Sequence, residues 1–104
     1  FSVSLEIQDI PAIANVAHDH DIMVIADNTW GTPLYCPTME LGVDLSIMAA
    51  TKYIVGHSDA VLGTVSASKR AWESLKRYHF NMGLFASPDD VTLALRGMRT
   101  LGKV

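Results

Sequence analysis

The feature that most constrains the fold is a run of five apolar residues, IMVIA at positions 22–26, that ends abruptly at Asp27. The run is too short for a helix, and its continuous apolar character is typical of a parallel strand that is covered on both faces. Such a strand needs packed layers above and below it, which favours an α/β architecture. We therefore predict a buried strand over 22–26.

Helical and strand patterns alternate along the rest of the chain. Apolar residues spaced three and four apart follow Asp9 and Pro11, and similar stripes follow Ser68 and the Ser87–Pro88 pair, each a typical helix start. Prolines and glycines between the first two strands indicate a loop. The predicted elements are a helix at 10–17, strands at 22–26, 44–50 and 60–67, a loop at 28–38, and helices at 68–80 and from 87 onward to the end of the chain.

Composition excludes several classes of protein. The 104 residues are 49% hydrophobic and 18% charged with a net charge of −3, which describes one ordinary domain at most. With eight basic and eleven acidic residues, the chain lacks the excess of positive charge that would indicate binding to nucleic acid or to an acidic membrane surface. No apolar run approaches the roughly 18 residues that span a bilayer. The single Cys36 excludes an internal disulfide and fits a reducing, cytoplasmic location.

The two ends of the chain suggest that it is a piece of a longer protein. It begins at Phe1 without an initiator methionine and stops at Val104 within a helical pattern. A chain this short buries only about two thirds of its unfolded surface. We expect its apolar strands to lack covering layers, and the isolated chain to be marginally stable or to associate through its strand edges.

Polar residues follow two of the predicted strands. Asp27 comes directly after the first strand, and Lys52 follows the second. If these strands are parallel, both side chains emerge at the same sheet edge, where ligands of α/β proteins bind. A lysine among apolar residues and glycines can lose its proton and attack a carbonyl, and a carboxylate can keep a pyridine nitrogen protonated. Thr51 and Ser58 add hydroxyls suited to a phosphate.

Position alone leaves other readings open. An aspartate after a strand is more often a turn or cap residue, and a lysine is more often a solvated surface residue. The cluster HDHD at 18–21 could hint at a metal, although a solvated helix end explains it better. We expect His57 and Asp59 to fix their loop by hydrogen bonds, Trp30 to pack or to line a pocket, and Cys36 to be unreactive. Arg96 and Arg99 could clamp a carboxylate, which we consider the weaker reading.

Two motifs carry more information than spacing does. The segments ADNTWGTP at 26–33 and ATKYIVGHSD at 50–59 closely resemble the pyridoxal-phosphate enzymes of cysteine and methionine metabolism, and in particular their cystathionine lyases. The segments SLEIQDIPAIA at 4–14 and LRGMRTLG at 95–102 resemble the same family. The resemblance therefore covers nearly the whole chain.

The resemblance implies a fold and a set of roles. Residues 1–104 would form the C-terminal half of the large cofactor-binding domain of a fold-type I, aspartate-aminotransferase-like enzyme, with a mostly parallel sheet and flanking helices. Lys52 would hold pyridoxal 5'-phosphate and shuttle the α-proton, Asp27 would pair with the pyridine nitrogen, and Thr51 would donate to the phosphate. The family usually has a serine three positions before the lysine, where this chain has Ala49.

The implied reaction is α,β-elimination from cystathionine or cysteine, which yields homocysteine or a thiol, pyruvate and ammonia. The resemblance also implies a homotetramer with active sites shared between subunits, and a sulfur amino acid as substrate. No metal is expected. Two alternatives stay open: a γ-lyase or γ-synthase of the same family, and a 104-residue chain that is catalytically inert by itself.

Overall fold

The computed structural model describes residues 3–103 and has the predicted α/β class. The expectation that the helical pattern continues to Val104 lies outside the described residues. Among residues 3–103, no helix has the length and apolar character needed to cross a membrane. The elements are α1 (Ile10–Asp19), β1 (Ile25–Asp27), α2 (Thr32–Tyr35), β2 (Leu45–Ala49), β3 (Gly63–Ala67), α3 (Lys69–Asn81), α4 (Pro88–Met98) and a short 3-10 helix, Leu101–Lys103.

The three described strands form one mixed sheet in the order β1, β2, β3. β1 runs parallel to β2, with Asp27 level with Ile47. β3 runs antiparallel to β2, with Val65 opposite Ile47. A parallel return usually needs a crossover helix, and the connection at 50–62 contains none, so β3 can only reverse direction. The expected parallel pairing is therefore found for β1 with β2, while β3 makes the sheet mixed.

One face of this sheet is mostly apolar and uncovered. Ile25, Ile47 and Val65 lie on it and are 60%, 39% and 46% exposed. Ile47 is level with Val65 on one side and with Asp27 on the other, whereas Ile25 is level with Leu45. The prediction that the strand at 22–26 is buried on both faces is wrong for the described residues, because no described element covers this face. The finding agrees with the expectation that the strands lack covering layers.

The helix starts confirm the predicted caps. Asp9 accepts from the amide of Ala12 at 3.0 Å, and Ser68 and Ser87 cap α3 and α4 in the same way. The predicted loop at 28–38 is wrong at α2, where Pro33 lies in the first helical turn. Proline is tolerated there because the first turn's amides have no partner within the helix.

The core lies where α4 meets the turn that follows β2. Met48 and Val55 belong to it, and the other buried members are Ala50, Ile54, Ala60 and Ala94. Gly97 of α4 faces the main-chain carbonyls of Ile54 and Val55 so closely that a Cβ there would lie 2.0 Å and 2.3 Å from the two oxygens. A glycine is therefore required for α4 to contact this turn.

A buried carboxylate joins the other elements. Asp44, which precedes β2, is 2% exposed and accepts from the amide of Val24 and from the ring of His18 on α1, both at 2.8 Å. The Ser68 hydroxyl donates to its other oxygen at 3.2 Å. Burial raises the pKa of Asp44, but these hydrogen bonds outweigh it and hold the pKa below the ordinary value of 3.8. One carboxylate thus links α1, both parallel strands and the start of α3.

Gly97→Ala should destabilise the full-length protein by about 3 kcal/mol, because the added methyl group would overlap main-chain atoms that cannot move independently. Gly102→Ala is the matched control, since its nearest neighbour would be a Leu34 methyl group at 4.0 Å. Denaturant unfolding of both variants measures the difference. Equal midpoints for the two variants would contradict the close approach.

Asp44→Asn should lower the free energy of unfolding at pH 7 by about 1–3 kcal/mol, because a buried network loses its charge-assisted bonds. The folded pKa of Asp44 lies below its unfolded value, so this stability is present above the unfolded pKa and is lost as the pH falls through the folded pKa. The variant should therefore lose less stability than the wild type below about pH 4.

Asp21→Asn is the control for this measurement, because Asp21 is an exposed carboxylate that pairs with Arg70 at the surface. Its effect should stay within about 0.5 kcal/mol at either pH. Unfolding curves at pH 7 and pH 3.5 make the comparison. Equal changes in the free energy of unfolding for Asp44→Asn and Asp21→Asn would show that the buried network does not stabilise the fold.

Candidate active site

Asp27 is the last residue of β1 and stands at the carboxyl end of the parallel pair, as predicted. Its Oδ1 accepts from the Thr29 hydroxyl at 2.6 Å and from the Thr29 amide at 2.9 Å. The hydroxyl bond first, and then the amide bond, hold the pKa of Asp27 below its ordinary value. The side chain is therefore a carboxylate at neutral pH.

Thr29 was missed by the sequence reasoning. Its hydroxyl oxygen also accepts from the amide of Ala49, at the end of β2, at 2.9 Å. An aspartate that accepts from the amide two residues later forms an Asx turn, so the pattern Asp-x-Thr could have indicated the bond to Asp27. The bond to Ala49 spans twenty positions, and no local pattern indicates it.

Lys52 lies in the turn that directly follows β2. Its amide donates to the Ala49 carbonyl at 3.0 Å, and its own carbonyl accepts from Gly56 at 2.9 Å, so the main chain on both sides is fixed. The side chain is exposed and has no hydrogen bond or ion pair within residues 3–103. The ammonium group is therefore available to a small molecule at this edge of the sheet.

Thr51 is held between the same turn and the start of β3. Its hydroxyl oxygen accepts from the Leu62 amide at 3.0 Å, and the hydroxyl lies 3.3 Å from the Leu62 carbonyl. The second distance exceeds the usual 2.5–3.0 Å of an O–H···O bond. The oxygen is thus fixed by a good bond, whereas the hydroxyl proton is only weakly engaged.

The loop after Lys52 is fixed by the hydrogen bonds that the sequence predicted. The ring of His57 bonds the Val55 carbonyl at 2.8 Å, and Asp59 accepts from Arg96 of α4 at 2.5 Å. The Arg96 bond holds the pKa of Asp59 below its ordinary value. Ser58 has a φ of +56°, which a residue other than glycine rarely adopts. Within residues 3–103, the carboxylate that Arg96 contacts is that of Asp59.

An open cleft of about 990 Å³ brings most of the predicted site residues together. Lys52, Thr51 and Ser58 line it, and so does Trp30. Asp27 does not line the cleft and approaches it through its bond to Thr29, which does. The remaining lining residues are Tyr53, Gly56, Asp59, Ala60, Val61 and Asp90.

The cluster at 18–21 does not form a metal site. His18 bonds Asp44, whereas Asp21 pairs with Arg70 of α3 at 2.6 Å. Within residues 3–103, no three His, Cys, Asp or Glu side chains are placed to share one ion. His18 is half-buried against Asp44, whereas Asp19, at the end of α1, and the following His20 and Asp21 are exposed.

Known proteins match this chain over nearly its full length. It is 52% identical over 101 residues to a putative cystathionine beta-lyase of Rhizobium johnstonii, which covers 97% of the chain and 26% of that protein. It is 40% identical over 103 residues to cystathionine beta-lyase MetC of Escherichia coli, again over 97% of the chain and 26% of the relative. The chain thus spans about a quarter of the length of these relatives.

The fold matches solved structures equally well. A cystathionine gamma-lyase from Lactobacillus plantarum, complexed with L-serine, superposes with a TM-score of 0.89 at 37% identity, over 95% of the chain and 26% of that structure. A cystathionine gamma synthase from Xanthomonas oryzae gives 0.88 at 36% identity over the same shares. The family model described as Cys/Met metabolism PLP-dependent enzyme matches residues 2–103. Sequence and fold agree, and the chain belongs to the Cys/Met metabolism PLP-dependent enzyme family.

Proposed function

We propose that the full-length protein is a pyridoxal-phosphate-dependent carbon–sulfur lyase that cleaves cystathionine or cysteine by α,β-elimination. With the uptake of one water molecule, the products are homocysteine or a thiol, pyruvate and ammonia. The observation that carries the proposal is the unpaired, exposed Lys52 at the same sheet edge as the ionised Asp27. The names of the relatives at 52% and 40% identity support β-cleavage.

The chemistry of the donor set fits the cofactor. An aldehyde needs an amine, which Lys52 supplies, and a protonated pyridine nitrogen needs an anionic partner, which Asp27 supplies. The phosphate needs hydroxyl and amide donors, and Thr51 has a hydroxyl proton that is only weakly engaged by Leu62. Ala49 contributes no hydroxyl, so the phosphate depends more on Thr51 and on segments outside this chain.

Pyridoxal phosphate, when bound, supplies an electron sink for the charge that develops at the substrate Cα. Lys52 Nζ, in its neutral form, takes the proton from Cα and later returns one. The carboxylate of Asp27 would accept the pyridine N–H, and this contact would keep the ring electron-poor. The bond between Cβ and sulfur then breaks, and the sulfur departs as a thiolate that takes up a proton.

Lys52→Ala should abolish the visible absorbance that pyridoxal phosphate shows when it is bound through a lysine, because among residues 3–103 Lys52 is the lysine that lines the cleft. Lyase activity should fall by at least about a thousandfold, since both the covalent attachment and the proton transfer are lost. Titration of the full-length protein with the cofactor, followed by absorbance, measures this. Lys76→Ala, on the exposed surface of α3, is the control and should match the wild type; an unchanged spectrum in Lys52→Ala would overturn the assignment.

γ-Cleavage is the second candidate, because the structural neighbours with TM-scores of 0.89 and 0.88 are described as a gamma-lyase and a gamma synthase. Product analysis with cystathionine separates the two reactions. We expect pyruvate and homocysteine, which indicate cleavage at Cβ. Accumulation of 2-oxobutyrate and cysteine would instead assign γ-cleavage to the same site.

The same proposal includes the setting of the enzyme. Residues 1–104 form the C-terminal half of a large cofactor-binding domain, and the full-length protein is a cytoplasmic homotetramer. The uncovered apolar sheet face of Ile25, Ile47 and Val65 supports a larger domain, since further segments must cover it. Light scattering of the full-length protein should give four times the subunit mass, and a monomer would contradict the assembly.

A further inference from the structure

The parallel ladder between β1 and β2 ends in an unusual way. The Asn28 amide donates to the Ile47 carbonyl at 2.8 Å, which continues the ladder one residue beyond β1. The Asn28 carbonyl does not continue it, because it accepts from the Thr32 amide at 2.9 Å. The next amide on β2, that of Ala49, donates instead to the Thr29 hydroxyl oxygen at 2.9 Å. A side-chain hydroxyl thus takes the place of a main-chain carbonyl.

This hydroxyl is used in both directions. It accepts from Ala49 and donates its own proton to Asp27 Oδ1 at 2.6 Å, while the Thr29 amide donates to the same oxygen at 2.9 Å. A hydroxyl that accepts one bond becomes a better donor in the next, so the two bonds strengthen each other. Within residues 3–103, no hydrogen-bond donor contacts Asp27 Oδ2, so this oxygen is available to a ligand.

The same contacts reach Lys52. The peptide unit of Ala49 donates its N–H to Thr29, and its carbonyl accepts from the Lys52 amide at 3.0 Å. A continuous series of hydrogen bonds therefore runs from the carboxylate of Asp27, through Thr29 and the main chain of Ala49, to the turn that carries Lys52. An ordinary Asx turn explains the amide bond of Thr29 and does not explain the bond to Ala49.

We propose that Thr29 is a positioning residue that fixes the Asp27 carboxylate and the start of the lysine turn relative to each other. This inference rests on the proposed function, in which Asp27 and Lys52 hold the two ends of one aromatic aldehyde, the pyridine nitrogen and the carbonyl carbon. Thr29 would act through Asp27: its two bonds hold Oδ1 and leave Oδ2 for the pyridine N–H.

The test measures the dissociation constant of pyridoxal phosphate for the full-length protein by fluorescence titration, independently of turnover. Thr29→Val keeps the side-chain volume and removes both hydroxyl bonds, and it should weaken binding about tenfold, the usual worth of a bond to a charged group. Thr29→Ser keeps the hydroxyl and should bind within about threefold of the wild type. Thr92→Val is the matched control, because that hydroxyl donates only to the Pro88 carbonyl on α4, and it should not change binding.

A double-mutant cycle with Asp27→Asn shows whether Thr29 acts through the carboxylate. In the Asp27→Asn protein, Thr29→Val should weaken binding by less than about threefold, since the charge that it orients is gone. An equal loss in both backgrounds, or wild-type affinity in Thr29→Val, would overturn the inference. Thr29→Ala is measured in parallel and decides the same question if the valine variant does not fold.

Failure of the proposed function gives a different result. Asp27→Asn by itself should weaken cofactor binding by at least about tenfold, because a neutral amide lacks the negative charge that stabilises a protonated pyridine. If Asp27→Asn binds like the wild type, the assignment of Asp27 fails, and the inference on Thr29 fails with it. If Asp27→Asn weakens binding and Thr29→Val does not, only the inference on Thr29 is wrong.

Discussion

The buried carboxylate of Asp44 sets the arrangement on which the site depends. It receives bonds from Val24, His18 and Ser68, and its own amide donates to the Val24 carbonyl at 2.9 Å. These contacts fix where the two parallel strands begin relative to each other. Since strands rise by a constant length per residue, the register at their start also decides which residues meet at their carboxyl ends. The level placement of Asp27 and Ile47 is therefore determined about ten ångströms away, three residues nearer the start of each strand.

Local features of the fold were predictable, and features that depend on distant segments were not. Three helix starts could be predicted from their capping residues, Asp9, Ser68 and Ser87, because a capping side chain bonds an amide only three residues later. The short helix Thr32–Tyr35 was missed because Pro33 indicates a break and a first helical turn equally well. The apolar run at 22–26 indicated a strand, but β1 begins only at Ile25 and extends to Asp27. Apolar sequence also cannot state which partner covers a strand or whether that partner lies within the same 104 residues.

The same distinction between local and distant features holds for the candidate site. Asp27 and Lys52 could be proposed as site residues from the sequence, because their positions after predicted strands and the motifs around them are both read along the chain. Thr29 and Gly97 were not, since their importance comes from Ala49 and from the carbonyls after Lys52, twenty or more positions away. The turn that carries Lys52 is thus held on two sides. The Thr29 hydroxyl bonds the end of β2 before the turn, and α4 packs against the turn at Gly97.

The bond from Ala49 to Thr29 has a consequence for how this site can change during evolution. The contact uses the amide of Ala49 and ignores its side chain. Any residue with a main-chain N–H can occupy position 49 and preserve the connection, and proline is the one residue that would break it. A change of side chain at position 49 therefore leaves the link between the Asp27 carboxylate and the turn of Lys52 intact. The side chain at this position can vary while the main-chain geometry of the sheet edge is kept.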